Sequence, residues 1–224
     1  MPRRARIVAV GLPHHITQRG NFKQTVFEDD NDRRKYLTWI QEYSNKYKLS
    51  LLAYCLMSNH IHFIAVPHSR DSLARTFNTA HMRYAQYANK KMQHSGHLWQ
   101  GRFFSCILDE QHLIAATRYV ERNPVRAKLV NKPWQWKWSS AAVHTQKGKS
   151  LLSLGNFFAL TDIHPSEWEG YIISDEDKNI VESIKKHTFV GRPLGSKQFL
   201  EKLKNKLQTQ TKFPSLTRGR PRKR

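Results

Sequence analysis

The apolar positions change period several times along the chain, and each change marks an element. Residues 6–21, RIVAVGLPHHITQRGN, read as one or two short strands ending at a Gly-Asn turn. Residues 29–48 open with crowded acids, which suit a helix N-terminus, and then space Tyr36, Leu37, Ile40, Tyr43 and Tyr47 on a helical period. Two apolar runs, LSLLAYCLM and HIHFIAV, flank Ser58-Asn59 and predict a β-hairpin. After Pro67 the period is helical again, through Leu73, Phe77, Ala80, Tyr84 and Tyr87. A loop, QHSGHLWQGRF, leads to a strand in FFSCILD. A helix capped by Asp109 follows, which Pro124 should break near Arg122-Asn123.

The order βαββαβα predicts an α+β fold: a mostly antiparallel, ferredoxin-like sheet with helices packed on it. The pattern loosens beyond Ser139. We assign residues 1–145 to this domain and 146–224 to a C-terminal extension. The extension should hold a short helix near Pro165–Trp168, two helices split by a Gly-Pro-Gly break, and a disordered basic tail.

Charge narrows the function. The 224 residues carry a formal +21, which calls for a polyanionic partner, nucleic acid first. No apolar run is long enough to span a membrane, and the apolar stretch of MPRRARIVAVGLPHH is too short for a secretory leader. Two cysteines, Cys55 and Cys106, lack CxxC spacing and fit a reducing compartment, such as a bacterial-type cytoplasm, with the protein on the nucleoid.

The chemistry sits in the hairpin. His60 and His62, at i and i+2 of a strand, project from one face, where two imidazoles can chelate a divalent metal. Two histidines satisfied by backbone partners are the plainer alternative. Adjacent His14 and His15 lack that spacing. Tyr119 and Asn123 are i and i+4 on a helix, so an amide oxygen could join the coordination sphere with a phenol beside it. A phenol there can attack a phosphodiester. Asn123 also reads as a helix C-cap before Pro124.

Three runs, YCLMSNHIHFIAVP, GHLWQGRFFSCIL and RYVERNPVRAKLV, together resemble the single-tyrosine HUH transposases, and among them the REP-associated tyrosine transposases. The resemblance covers about residues 4 to 145. It implies the HUH endonuclease fold and His60 and His62 as metal ligands for Mg²⁺ or Mn²⁺, with Asn123 as a third. It also implies Tyr119 as nucleophile, cleaving and rejoining single-stranded DNA through a 5′-phosphotyrosine. The implied substrate is a hairpin with a single-stranded flank, as in repetitive extragenic palindromes, and the implied state is monomer or homodimer. Ser58 stands where many relatives have Pro, and Lys128 where many have Gly, which puts the local turn in question. Two rivals remain: a non-catalytic hairpin-binding descendant, and a metal-dependent hydrolase that uses water.

For DNA binding, the sequence offers a basic stripe of Arg70, Arg75, Arg83, Lys90 and Lys91 on or beside the middle helix. Trp99 and Arg102 in HLWQGRF suit stacking and backbone contact. From Lys197 onward, ten Lys or Arg stand against one acid, Glu201. The tail ends in Arg218-Gly219-Arg220-Pro221, a match to a minor-groove AT-hook core.

Overall fold

The computed structural model describes residues 6–210. The predicted order holds: β1 (His14–Arg19), α1 (Asp30–Lys46), β2 (Leu49–Leu56), β3 (His60–Pro67), α2 (Ser72–Met92), β4 (Phe104–Ile107) and α3 (Glu110–Glu121). All strand pairs are antiparallel, in the order β2-β3-β1-β4. This is the α+β, ferredoxin-like sheet that the pattern predicts.

Local chemistry sets the element ends. The Asp29 carboxylate accepts the Asp32 N–H at 2.9 Å and starts α1. The Asp109 carboxylate accepts the His112 N–H at 3.0 Å and starts α3. Met57 N–H donates to His60 O at 2.9 Å, closing the hairpin over Ser58-Asn59. In β2, Leu51 and Ala53 oppose the consecutive residues Ala65 and Ile64, so Leu52 is a bulge.

The two sheet faces have different tasks. Ile16, Ile61, Phe63, Tyr54 and Leu56 pack against Tyr36, Ile40, Phe77 and Tyr84 of α1 and α2. Cys55, Ile64 and Cys106 face the other way, against Leu113, Ala116, Tyr119 and Val120 of α3. Both cysteines are buried and free.

After α3 come α4 (Asn123–Arg126), α5 (Ala141–His144), α6 (Pro165–Ile173), α7 (Lys178–Val190) and α8 (Lys197–Gln210). The helix pattern breaks at Arg122, as Pro124 requires. The short helix expected near Pro165 runs on to Ile173. Phe157, Trp168, Ile172, Ile184 and Leu194 join the α3 side of the core. Glu121, fully buried at the end of α3, ties these pieces together. Its carboxylate accepts from Ser140 Oγ and from Trp168 Nε1 (3.0 Å), with His144 Nδ1 at 2.6 Å.

Among the described residues, no helix is long and apolar enough to cross a membrane. The Arg218-Gly219-Arg220-Pro221 stretch, with the rest of the tail from residue 211, lies outside the described residues.

Candidate active site

Strand alternation assembles the site. β3 puts His60 and His62 on the α3 face, and the register sets Arg19 opposite His60 and Thr17 opposite His62. His15, two residues before Thr17, therefore projects from the same face. The His60 and His62 rings stand 5.1 Å apart and nearly perpendicular, at 88°.

Each imidazole is tethered through Nδ1. His60 Nδ1 pairs with Asn59 Oδ1 at 2.7 Å. His62 Nδ1 pairs with His15 Nε2 at 2.9 Å, the two rings stacked at 9°. His15 Nδ1 in turn pairs with Thr188 Oγ1 of α7 at 2.8 Å. The Nε2 atoms of His60 and His62 are thus left for another partner, and Asn123 lies within hydrogen-bonding reach of the His60 ring.

These rings are neutral at pH 7. Burial, then Arg19, pushes His60 down to about 4. Burial alone pushes His15 to about 3. Burial, then His15 and His60, holds His62 well below the ordinary histidine value.

Tyr119 leans on this pair edge-on, its ring centre 5.5 Å from His62 and 5.8 Å from His15. All of these groups meet within one chain. Burial raises the phenol pKa, and Arg126 and Lys185 oppose the rise. The Arg126 guanidinium lies 4.3 Å over the Tyr119 ring, and its Nη1 meets both Glu176 oxygens at 2.9 Å. Asn123 Nδ2 donates to Tyr119 O at 3.2 Å and Val120 O at 3.3 Å, closing the end of α3. Its Oδ1 stays available to the His60 side.

This constellation spans the stretch that matches a known family. The family described as IS200-like transposases matches residues 9–123, just over half of the chain. The chain belongs to the IS200-like transposase family. The fold agrees with a solved REP-associated tyrosine transposase bound to a REP hairpin, at TM-score 0.53 and 15% identity, over 70% of this chain and 93% of that one. A structure of a candidate transposase from Deinococcus radiodurans R1 aligns at TM-score 0.37 and 18% identity, over 54% of this chain and 97% of that one. No curated protein matches.

Several residues of this candidate site escape a reading of the sequence. His15 looks irrelevant because it lacks HxH spacing, and only the β1–β3 register reveals it. Arg126 lies inside the RYVERNPVRAKLV run, where its sequence signal is the basic residue three positions after Asn123. Arg19, Glu176 and Thr188 carry no local signal.

The predicted DNA-binding residues separate. Arg75 pairs with Asp71 (3.2 Å), Arg83 with Glu42 (3.1 Å), and Lys91 with Asp29 (2.8 Å) and Asp32 (2.7 Å). They lie along α2, on the sheet side away from the histidines; Lys90 is exposed on the same helix, and exposed Arg70 just precedes it. Trp99 is buried and donates to His81 O at 3.1 Å. Arg102 lines a cavity of about 490 Å³ at the β4 edge, with Arg6, Phe104, Phe189 and Arg192.

The donor set suits a divalent cation of open coordination. Among the described residues no group of three His, Cys, Asp or Glu is gathered for a metal. The candidates are one amide oxygen and two neutral imidazoles, each held at Nδ1 by a hydrogen bond as ligating histidines usually are. Such neutral ligands would leave the cation's charge for phosphate oxygens.

Proposed function

We propose that this transposase cleaves and rejoins single-stranded DNA through a covalent link to Tyr119. The single observation that carries the reading is the Tyr119 ring edge-on to His62 at 5.5 Å, under the Arg126 guanidinium. In the step, the phenolic oxygen forms a bond to phosphorus and the bond to the 3′-oxygen breaks. The proton lost by the phenol is matched by the one taken up at the 3′-hydroxyl. The 5′-phosphotyrosine keeps the phosphodiester energy, so rejoining needs no nucleotide cofactor. Mg²⁺ or Mn²⁺, held by His60, His62 and Asn123, would polarise the scissile phosphate. Arg126 and Arg19 supply fixed positive charge beside the phenol and the phosphate.

The substrate reading is a DNA hairpin, as the REP-associated structure holds a REP hairpin, here with a single-stranded flank for Tyr119 to cut. A path for the flank leads off the histidine face at β4. Phe104, opposite Thr17, stacks on Phe189 at 4.9 Å, and Phe189 is 70% exposed. Arg6, Arg102 and Arg192 line the adjoining cavity and no carboxylate does. Burial, and then Arg102, pushes Arg6 down to about 10, and its guanidinium donates to Phe103 O at 2.9 Å. Aromatic faces between arginines suit unpaired bases and their phosphates.

The test is to incubate the protein with Mn²⁺ and a library of hairpins carrying single-stranded flanks, and to resolve the products on a denaturing gel. A covalent adduct that Tyr119→Phe abolishes is expected. Cleavage without any adduct would mean water is the nucleophile, and binding without cleavage would mean a hairpin-binding protein.

A further inference from the structure

We propose that Thr188 is a positioning residue of this active site: through His15 it selects the tautomer of His62 that leaves Nε2 bare. The inference rests on the reading of His62 as a metal ligand. Thr188 Oγ1, His15 and His62 form one buried line, with contacts of 2.8 and 2.9 Å. Each neutral imidazole carries one N–H, so the two contacts are not independent. If Thr188 accepts from His15 Nδ1–H, His15 Nε2 is a lone pair. His62 Nδ1 must then donate to it, and His62 Nε2 is left as a lone pair facing Tyr119 and His60. The opposite order puts a hydrogen on His62 Nε2, where a cation could not bind.

The surroundings choose between the two orders. Cys106 sits on β4 opposite His15, its thiol donates to Ile107 O at 3.5 Å, and the Thr188 side chain acts on its sulfur against the effect of burial. Its sulfur gives that hydroxyl a place to donate, which frees the oxygen lone pairs for His15. Asn59 does for His60 what this longer line does for His62, since an amide oxygen can only accept. Both Nε2 atoms are thereby presented as lone pairs.

Thr188 lies 65 residues past Asn123, where the family match ends. It is delivered by α7, which packs on β4 and α3. The same segment supplies Phe189 to Phe104, and the loop before it supplies Glu176 to Arg126. The extension is thus a working part of the site, and a chain cut at residue 145 would lack the group that orders its histidines.

The experiment is imidazole ¹⁵N NMR on the metal-free full chain, with Mn²⁺ affinity measured by EPR. In the parent, His62 should be the Nδ1–H tautomer; an Nε2–H signal there overturns the proposal whatever the variants do. Thr188→Val keeps the shape and removes the hydroxyl. It should shift His62 toward Nε2–H and weaken Mn²⁺ by about tenfold, and Thr188→Ser should restore both. An unchanged tautomer in a folded Val variant also overturns it. A tautomer shift in a chain whose parent takes up no Mn²⁺ would support the hydrogen-bond line and sink the metal reading instead.

Discussion

Arg126 covers the ring of Tyr119 at 4.3 Å and also donates to the Tyr119 carbonyl, so one side chain holds both the backbone and the phenol of the same residue. Glu176 fixes the guanidinium from the far side, and Arg122 Nε reaches the same carboxylate at 3.3 Å. A positive charge held there favours the phenolate against the effect of burial. Arg126→Gln should therefore slow covalent adduct formation by about 100-fold, the scale of a lost preorganised donor. Arg126→Lys should fall between, keeping the charge and losing the fork. Adduct formation at the parent rate in the Gln variant would reduce Arg126 to a packing role.

Lys128 explains how the turn after α4 survives without glycine. It adopts φ +57°, and its N–H donates to Val125 O while Leu129 N–H donates to Pro124 O. That is a Schellman closure with a non-glycine at its left-handed position. The left-handed conformation costs about 1–2 kcal/mol for such a residue. Lys128→Gly should raise stability by about 0.5–1 kcal/mol once glycine's extra chain entropy is subtracted. Urea unfolding measures this; a lower midpoint would show that the Lys128 side chain contributes more than its backbone costs.

How far the sequence reaches can be judged from particular residues. Local signals were enough for the elements. Alternation and period located β1 to β4 and α1 to α3, and Asp29, Asp109 and Pro124 marked their ends. His60 and His62 were legible because i and i+2 always share a strand face. His15 was not, because its place beside His62 depends on a register between strands 47 residues apart. Thr188 and Glu176 were hidden for the same reason, since helix docking is non-local. The acids that pair with Arg83 and Lys91 come from α1, so a stripe drawn on α2 alone omits them.

Glu121 is a fully buried carboxylate whose partners come from two later segments, α5 with its N-cap Ser140, and α6. Glu121→Ala leaves the Trp168 N–H and the Ser140 hydroxyl without their acceptor and removes the carboxylate beside His144. Such a loss costs about 3–5 kcal/mol. Because Glu121 is two residues from Tyr119, the end of α3 should loosen with it. A fall in the thermal midpoint with a change in Trp168 near-UV dichroism is expected; an unchanged midpoint would mean that water replaces the carboxylate.

Acid stability draws on five histidines that burial lowers: His15, His60 and His62 at the site, and His14 and His81 remote from it. His14 accepts the Ala9 N–H at Nε2 and donates from Nδ1 to Leu12 O at 2.8 Å. His81 Nε2 pairs with the Tyr36 hydroxyl at 3.0 Å. Burial pushes His14 from 6.5 to about 4 and His81 from 6.5 to about 3. Below pH 6.5 the unfolded chain binds protons that the folded chain refuses, so stability is full above 6.5. It is lost as pH falls toward about 4 for His14 and about 3 for His81. Each group contributes a slope of about 1.4 kcal/mol per pH unit in that window. The lowered Asp29, Asp30 and Asp71 act only below their ordinary 3.8 and do not blur it. The urea midpoint should drop steadily from pH 6.5 to 5, and His81→Gln should remove about one histidine's share of that slope. A midpoint that stays level from pH 7.5 to 5 would mean these rings are already charged in the folded protein.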